Sequence, residues 1–427
     1  MALNTNKALR NQVMYQVFVR NYSKEGTFEK VREDLGRMKA LGVDIIWLMP
    51  IHPIGKVKRK GTLGSPYAIS DYRAVNPEFG TLDDFKRLVD AIHENGMKCI
   101  IDVVYNHTSP DSVLAAEHPE WFYRKADGSF GNRVGDWSDI IDLDYGNEAL
   151  WDYQIETLKY WAEIVDGFRC DVAPLVPIAF WEKARNEVAK VRENCIWLSE
   201  SVEPGFITAM REQGYFAASD GEMYRAFDIC YDYDIADEYN ALFNADGTLQ
   251  DYAAAVNRQE YIYPENYVKL RFLENHDRPR AHRLIPDERS LVNWTAFLFF
   301  QKGLTLLYNG QEFGATHLPS LFDRDTILMQ PENGPDLSPL IAKLSAIKHS
   351  PVFTDSSYRV TAVDDGCLTA FHKGIVSCAY GIFALDGKPH TIKTDLLPGI
   401  YPNAITNDSI EVSNGEIQCD GTPIIIL

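Results

Sequence analysis

At 427 residues, 45% of them hydrophobic and 24% charged, the chain has material for one large domain plus a small one, and its composition excludes a disordered protein. A formal net charge of -19 argues against nucleic acid and anionic membranes as partners and suits a neutral ligand. The first ten residues hold no apolar signal segment, no run approaches the roughly 18 apolar residues of a membrane span, and the seven cysteines form no C-x-x-C pair, so a cytoplasmic chain without thiolate-bound metal is expected.

In chain order, Val13–Val19 reads as a buried strand, Arg20–Ser23 as a turn and Phe28–Leu41 as a helix. Val43–Met49 repeats the strand. A long loop follows, carrying Tyr67 and Tyr72, whose flat faces suit the mouth of a pocket; packing of the loop is the equally good plain explanation. The helix Leu82–Asn95 is stopped by Gly96, and Lys98–Val104 is a third buried strand running into Tyr105-Asn106-His107. Asp102 lies inside that apolar run and needs a partner. Residues 108–146 lack periodicity, are rich in Trp, Tyr and Asp, and read as a small subdomain walling one side of a cleft.

The helix Glu148–Trp161 leads to Gly167-Phe168-Arg169-Cys170-Asp171, where Arg169 and Asp171 share one strand face. Arg169 is the natural partner of Asp102, and its charge is expected to keep Asp171 ionised. After the helix Phe180–Arg192, the strand Cys195–Ser199 ends at Glu200, which an apolar strand end biases to keep its proton. Further strands are expected at Tyr224–Asp234, at Tyr267–Leu273 running into Glu274-Asn275-His276-Asp277, and at Gly303–Tyr308. Eight strands alternating with helices, each shedding polar residues past its C-terminal end, predict an α/β fold of the (β/α)8 barrel type. A doubly wound open sheet is the competitor, and no Gly-rich phosphate turn supports it.

Beyond Ser350 short alternating runs (Leu368–Phe371, Ile375–Tyr380, Ser409–Val412, Ile424–Leu427) are punctuated by Asp386-Gly387, Asn414-Gly415 and Asp420-Gly421, the pattern of a C-terminal antiparallel β-sandwich. The expected organisation is a barrel over 1–107 and 147–349, the loop subdomain over 108–146 and the sandwich over 350–427.

Asp102 to His107, Gly167 to Asp171, the Glu200 strand and Glu274 to Asp277 together resemble, in order, the four signature stretches of the α-amylase superfamily of glycoside hydrolases. The resemblance extends to Ser65–Tyr72, Asp142–Asp144 and Tyr308–Glu312. It implies a retaining hydrolase of α-1,4-linked glucans, with Asp171 as nucleophile, Glu200 as general acid and base, and Asp277 binding sugar hydroxyls. Tyr67, Asp102, His107, Arg169, His276 and Arg280 would bind substrate. The same site could pass the glycosyl unit to another sugar as an α-glucosidase or glucosyltransferase of the superfamily, and a carbohydrate-binding protein without turnover is the distant third reading.

Two departures from the family pattern bear on substrate and metal. Val172-Ala-Pro-Leu-Val-Pro177 stands where many relatives carry a Lys-His pair, and Asn275–Arg280 is similar to the form of the short-chain α-glucosidases. The expectation is a soluble oligosaccharide substrate of short maltodextrin type. No cofactor is required on this reading; Asn106 and Asp136 are the candidate calcium ligands, with weak or no calcium dependence expected because the Lys-His contact is missing. The sequence carries no signal for oligomeric state.

Overall fold

The structure is a computed structural model and describes residues 2, 4–244, 246–331 and 334–427. Eight parallel strands close into a barrel: β1 (Val13–Val17), β2 (Ile45–Leu48), β3 (Lys98–Val103), β4 (Gly167–Cys170), β5 (Ile196–Ser199), β6 (Ile229–Tyr231), β7 (Val268–Arg271) and β8 (Leu304–Tyr308), each hydrogen-bonded to its sequence neighbours and β8 closing onto β1.

The strands read as nearly unbroken apolar runs because both of their faces are covered. Met14, Trp47, Ile100, Leu198, Tyr231, Val268, Leu270 and Leu306 fill the barrel interior. Their neighbours one residue along, such as Tyr15, Ile46, Cys99, Phe168, Trp197 and Leu307, belong to the larger core under the helices. That period of two decides which polar residues reach the interior. The helix Leu82–Glu94 starts with a Thr81–Asp84 capping box, has Asn95 as its C-cap and ends at Gly96, whose φ of +69° suits a residue without a Cβ.

Several elements differ from the sequence expectation. β1 stops at Val17, and Val19–Tyr22 forms one helical turn that buries Arg20, whose Nη1 donates to the carbonyls of Gly64 (2.9 Å) and Leu321 (3.1 Å). The helix expected over 28–41 is two, Phe28–Glu33 and Leu35–Ala40. They part at Asp34, whose carboxylate is held by Arg37 and the Tyr22 hydroxyl. Only Ile229–Tyr231 of the run Tyr224–Asp234 is strand. Tyr224 packs on the helix side with its hydroxyl on the Val268 carbonyl, and Tyr233 already lies in a 3-10 turn.

Segment 108–146 is pinned by a two-residue antiparallel ladder between His107–Thr108 and Ile141–Asp142. Beyond the barrel, Ser357–Ala362, Cys367–Lys373, Cys378–Ala384 and Ile424–Ile426 form a four-stranded antiparallel sheet, with two further ladders, His390–Lys393 on Glu416–Cys419 and Gly399–Pro402 on Ser409–Val412. Ile382, Ala384, Ile392, Ile417 and Ile424 make the core between them. Ile375 and Val376, expected in a strand, form the exposed tip of a hairpin closed by the Gly374 N–H on the Ser377 carbonyl. The sheet's other face packs Leu368, Phe383 and Ile425 into the core that also holds Phe297 and Phe300 of the barrel helix Glu288–Phe300. All seven cysteines are free, and among the described residues no helix is long and apolar enough to cross a membrane.

Candidate active site

Period-two alternation puts Asp102 of β3 and Arg169 of β4 into the barrel, and the register pairs them directly. Arg169 is fully buried. Its Nη1 donates to Asp102 Oδ1 and to Asp171 Oδ1, both at 2.8 Å, its Nη2 lies 2.6 Å from Glu200 Oε1, and its Nε donates to Tyr231 Oη at 3.2 Å. The guanidinium also sits over the rings of Trp47, Tyr67 and Tyr231. One cation therefore organises three carboxylates that come from the ends of three adjacent strands.

One positive charge does not balance three negative ones in a site this deeply buried. Burial pushes Asp102 and Asp171 each up to about 7, with Arg169 pulling the other way. Glu200 is raised well above the ordinary carboxylate range, first by burial and then by Asp171 and Asp277. The expectation that Arg169 alone would keep Asp171 ionised is corrected here: desolvation outweighs the local pair. A hydrogen bond with Glu200 is among the influences that lower Asp171.

The backbone takes part. Val172 adopts φ 41°, ψ 37°, a left-handed conformation that a β-branched residue rarely tolerates, and a 3-10 turn, Ala173–Leu175, begins immediately after it. In this conformation the Val172 N–H donates to Glu200 Oε2 at 2.8 Å. Both oxygens of Glu200 are thus engaged by the residues flanking Asp171.

A second group closes the interior from the side of β1 and β7. Tyr67 and His276 stack at 5.4 Å, and Tyr67 Oη lies 2.6 Å from His276 Nε2 and 3.2 Å from Asp102 Oδ2. Gln16 Nε2 donates to His276 Nδ1 at 2.8 Å, which leaves Nε2 to face Tyr67 and, at 3.0 Å, Asp277 Oδ2. Burial lowers His276 and His107 to about 4, so both rings are neutral near pH 7. Asp277 is more open, with 42% of its side chain exposed, as befits a group at the mouth of the pocket. His107 Nε2 stands 3.9 Å from Asp171 Oδ2, and its ring lies 5.6 Å from that of Trp137 in the loop subdomain.

Asp171, Glu200, Asp277, Tyr67, Asp102, His107, Arg169 and His276 are therefore brought together, while Arg280 is not. Its Nη1 donates to Glu274 Oε1 (2.6 Å), both Nη atoms reach the Asn309 carbonyl (3.1 Å), and its guanidinium sits over the Tyr308 ring. Glu274, only six residues earlier, turns the fork away from Asp277. Gln16, Trp47 and Tyr231 are site residues that sequence reasoning passed over. Only Gln16 carried a signal, as a polar residue inside the buried run Val13–Val17.

The candidate calcium ligands do not converge. The Asn106 side-chain amide lies against His107 Nδ1 (3.2 Å), and Asp136 is exposed and meets Lys60 only through its carbonyl. Of the neighbouring carboxylates, Asp139 is held by Lys60 Nζ (2.9 Å), and Asp142 Oδ2 by the Arg133 backbone N–H (2.7 Å) and guanidinium, while the buried Asp142 Oδ1 has no partner among the described residues. Among the described residues no group of three or more His, Cys, Asp or Glu is arranged to hold a metal ion.

Residues 12–129 and 116–349 match the family model for the alpha amylase catalytic domain, and 359–426 match that for the bacterial alpha amylase C-terminal domain. The chain is 50% identical to an alpha-amylase from Lactobacillus plantarum of known structure, with a TM-score of 0.96 and 99% of each chain covered. It is 34% identical to the maltogenic alpha-amylase AmyB from Thermotoga neapolitana, with a TM-score of 0.87 over 98% of this chain and 99% of that one. Among curated proteins, it is 28% identical to the alpha-amylase MalA of Haloarcula japonica over 71% of its own length and 44% of that protein's. An alpha-1,4-glucan:maltose-1-phosphate maltosyltransferase of Rhodospirillum rubrum matches at 36% over 41% of this chain, which spans 28% of that protein. The chain thus spans less than half the length of these curated relatives, while its barrel and sheet domain are matched along almost their full extent: it belongs to the alpha-amylase family.

Proposed function

We propose that the chain is a retaining glycoside hydrolase that cleaves α-1,4-glucosidic bonds of short maltodextrins. The observation that carries this reading is the geometry of three carboxylates gathered on Arg169, Asp171 and Glu200 among them, with Asp277 at the mouth of the pocket. Two carboxyl groups held side by side on one guanidinium supply an acid and a nucleophile when Glu200 carries the proton and Asp171 does not.

On this reading an Asp171 oxygen attacks the anomeric carbon while Glu200 gives its proton to the departing glycosidic oxygen. The bond to the leaving sugar breaks, and a β-linked glycosyl ester forms on Asp171. Glu200, now a carboxylate, takes a proton from water, whose oxygen attacks the same carbon and returns the product to the α configuration. Asp277 binds ring hydroxyls, and neutral His107 and His276 offer hydrogen bonds without adding charge. A sugar hydroxyl in place of water turns the same intermediate into a transfer product, and likeness to proteins named as maltosyltransferases favours keeping that second outcome in view.

The test is proton NMR of the first product from an α-linked maltodextrin, together with the variants Asp171→Asn and Glu200→Gln. Initial α-anomer is expected. Asp171→Asn should abolish turnover, whereas Glu200→Gln should spare glycosyl fluorides, whose leaving group needs no proton. Initial β-anomer overturns the mechanism. A kcat/KM that keeps rising well beyond maltoheptaose overturns the short-substrate assignment.

A further inference from the structure

Behind the acid cluster, between β7 and the helices Ala236–Phe243 and Leu249–Ile262, lies a cavity of about 290 Å3. Its wall toward the active site is Tyr233 and Arg278. The Tyr233 hydroxyl accepts from Asn275 Nδ2 at 3.0 Å, two residues before Asp277, and Arg278 lies 4.5 Å over the Tyr233 ring and pairs with Glu203 at 2.7 Å. Tyr239, Phe243 and Phe272 supply further aromatic lining.

Two buried polar atoms at this cavity lack a partner among the described residues. Gln301 is 4% exposed, and its Oε1 accepts nothing; the Tyr239 hydroxyl is likewise unpaired. Leaving such groups dry and unbonded costs about 1–3 kcal/mol each, so an occupant able to bond them is favoured. Oε1 can only accept, so that occupant must bring a donor.

Charge narrows the class of occupant. Arg278 is answered by Glu203, and Asp232, which also lines the cavity, is held by Arg271 Nη1 at 2.8 and 2.7 Å. No unbalanced charge is left to select an ion. Aromatic faces want apolar C–H surface, the amide oxygen wants hydroxyls, and the volume is at the small end of ligand pockets, about 300 Å3. We propose that this cavity is a second ligand site, separate from the acid cluster, that takes one neutral pyranose ring. It rests on the cavity alone and stands or falls independently of the hydrolytic reading.

The experiment is calorimetric titration of glucose into the full chain and its variants, with saturation-transfer NMR to identify the bound species. Saturable glucose binding is expected to persist in Asp277→Ala, which disables the acid-cluster site, and to weaken at least tenfold in Gln301→Leu and in Tyr239→Phe. Phe243→Trp, which fills the cavity from a partly exposed helix position, should have the same effect and serves if Gln301→Leu does not fold. Absence of saturable binding, loss of binding in Asp277→Ala, or unchanged binding in Phe243→Trp overturns the proposal. So does phenol binding at this site where glucose does not bind.

Discussion

The wall of the barrel carries a buried charged layer on each side, and the two are balanced differently. Inside, Arg169 alone faces Asp102, Asp171 and Glu200. Outside, between β7 and the helices, Lys269 pairs with Asp220 and, at 2.7 Å, with Asp234, while Arg271 holds Asp232 at 2.7 Å, so two cations answer three carboxylates. Lys269 and Arg271 face outward because Val268 and Leu270, alternating with them, fill the interior. Burial works to raise Asp234, yet Lys269 and its hydrogen bonds bring it below the ordinary range, whereas no member of the inner triad is lowered. Burial raises Asp220 and Asp232 of the outer layer as it raises the inner triad, so the layers differ at Asp234, which its cation and hydrogen bonds keep below the ordinary range.

Removing the cation from each layer tests that difference most strongly. Arg169→Met should leave three buried carboxylates without a cation, lower stability by about 3–5 kcal/mol and abolish turnover, because no group remains to hold Asp171 and Glu200 in register. Lys269→Met should cost a similar 3–5 kcal/mol in urea unfolding but leave kcat of the folded fraction within a few-fold of the parent. A folded Lys269→Met protein without activity would mean that the layers act as one.

A smaller effect is expected in the pH dependence. Asp102 and Asp171 sit near 7 in the folded chain against an ordinary 3.8, so between these values the folded state holds protons that the unfolded state has released. Their contribution to stability is full below 3.8 and is lost as pH rises through about 7. His52, His107 and His276, lowered by burial from 6.5 to about 4, act oppositely, and theirs is lost as pH falls through that window. The unfolding free energy of Asp171→Asn minus that of the parent isolates the carboxylate and should grow from pH 4 to pH 7. A flat difference would show that Asp171 is not protonated in the resting site.

The smallest effect concerns the loop subdomain, where Lys60 stands on Asp139 with 35% of its side chain exposed. Chelator should leave the melting temperature and kcat/KM unchanged, and Lys60→Ala should cost no more than about 1 kcal/mol. A clear loss of either on adding chelator would overturn this.

Reading the sequence found the inner layer because its members sit at strand ends in recognisable stretches, and because Asp102 in an apolar run demanded a cation. It misjudged the protonation of Asp171 because Arg-x-Asp is a local pair, whereas Glu200 and the depth of burial are set by strands that meet only in the fold. The outer layer went unread: Lys269 and Arg271 alternate in Val268–Arg271 as the partners of an outward face should, but Asp220, Asp232 and Asp234 lie far away in the chain. Arg280 was expected to bind substrate from the resemblance to the family, and its bonds to Glu274 and the Asn309 carbonyl occupy it elsewhere.

Val172 has a bearing on how this chain can change over generations. Its left-handed backbone carries about 1–3 kcal/mol of strain in a residue with a branched Cβ. The same conformation points an amide at Glu200. Selection for heat resistance would favour relaxing that residue, and selection for turnover would favour keeping it. Drift at this position is therefore confined from two sides, although its side chain is only a small hydrocarbon.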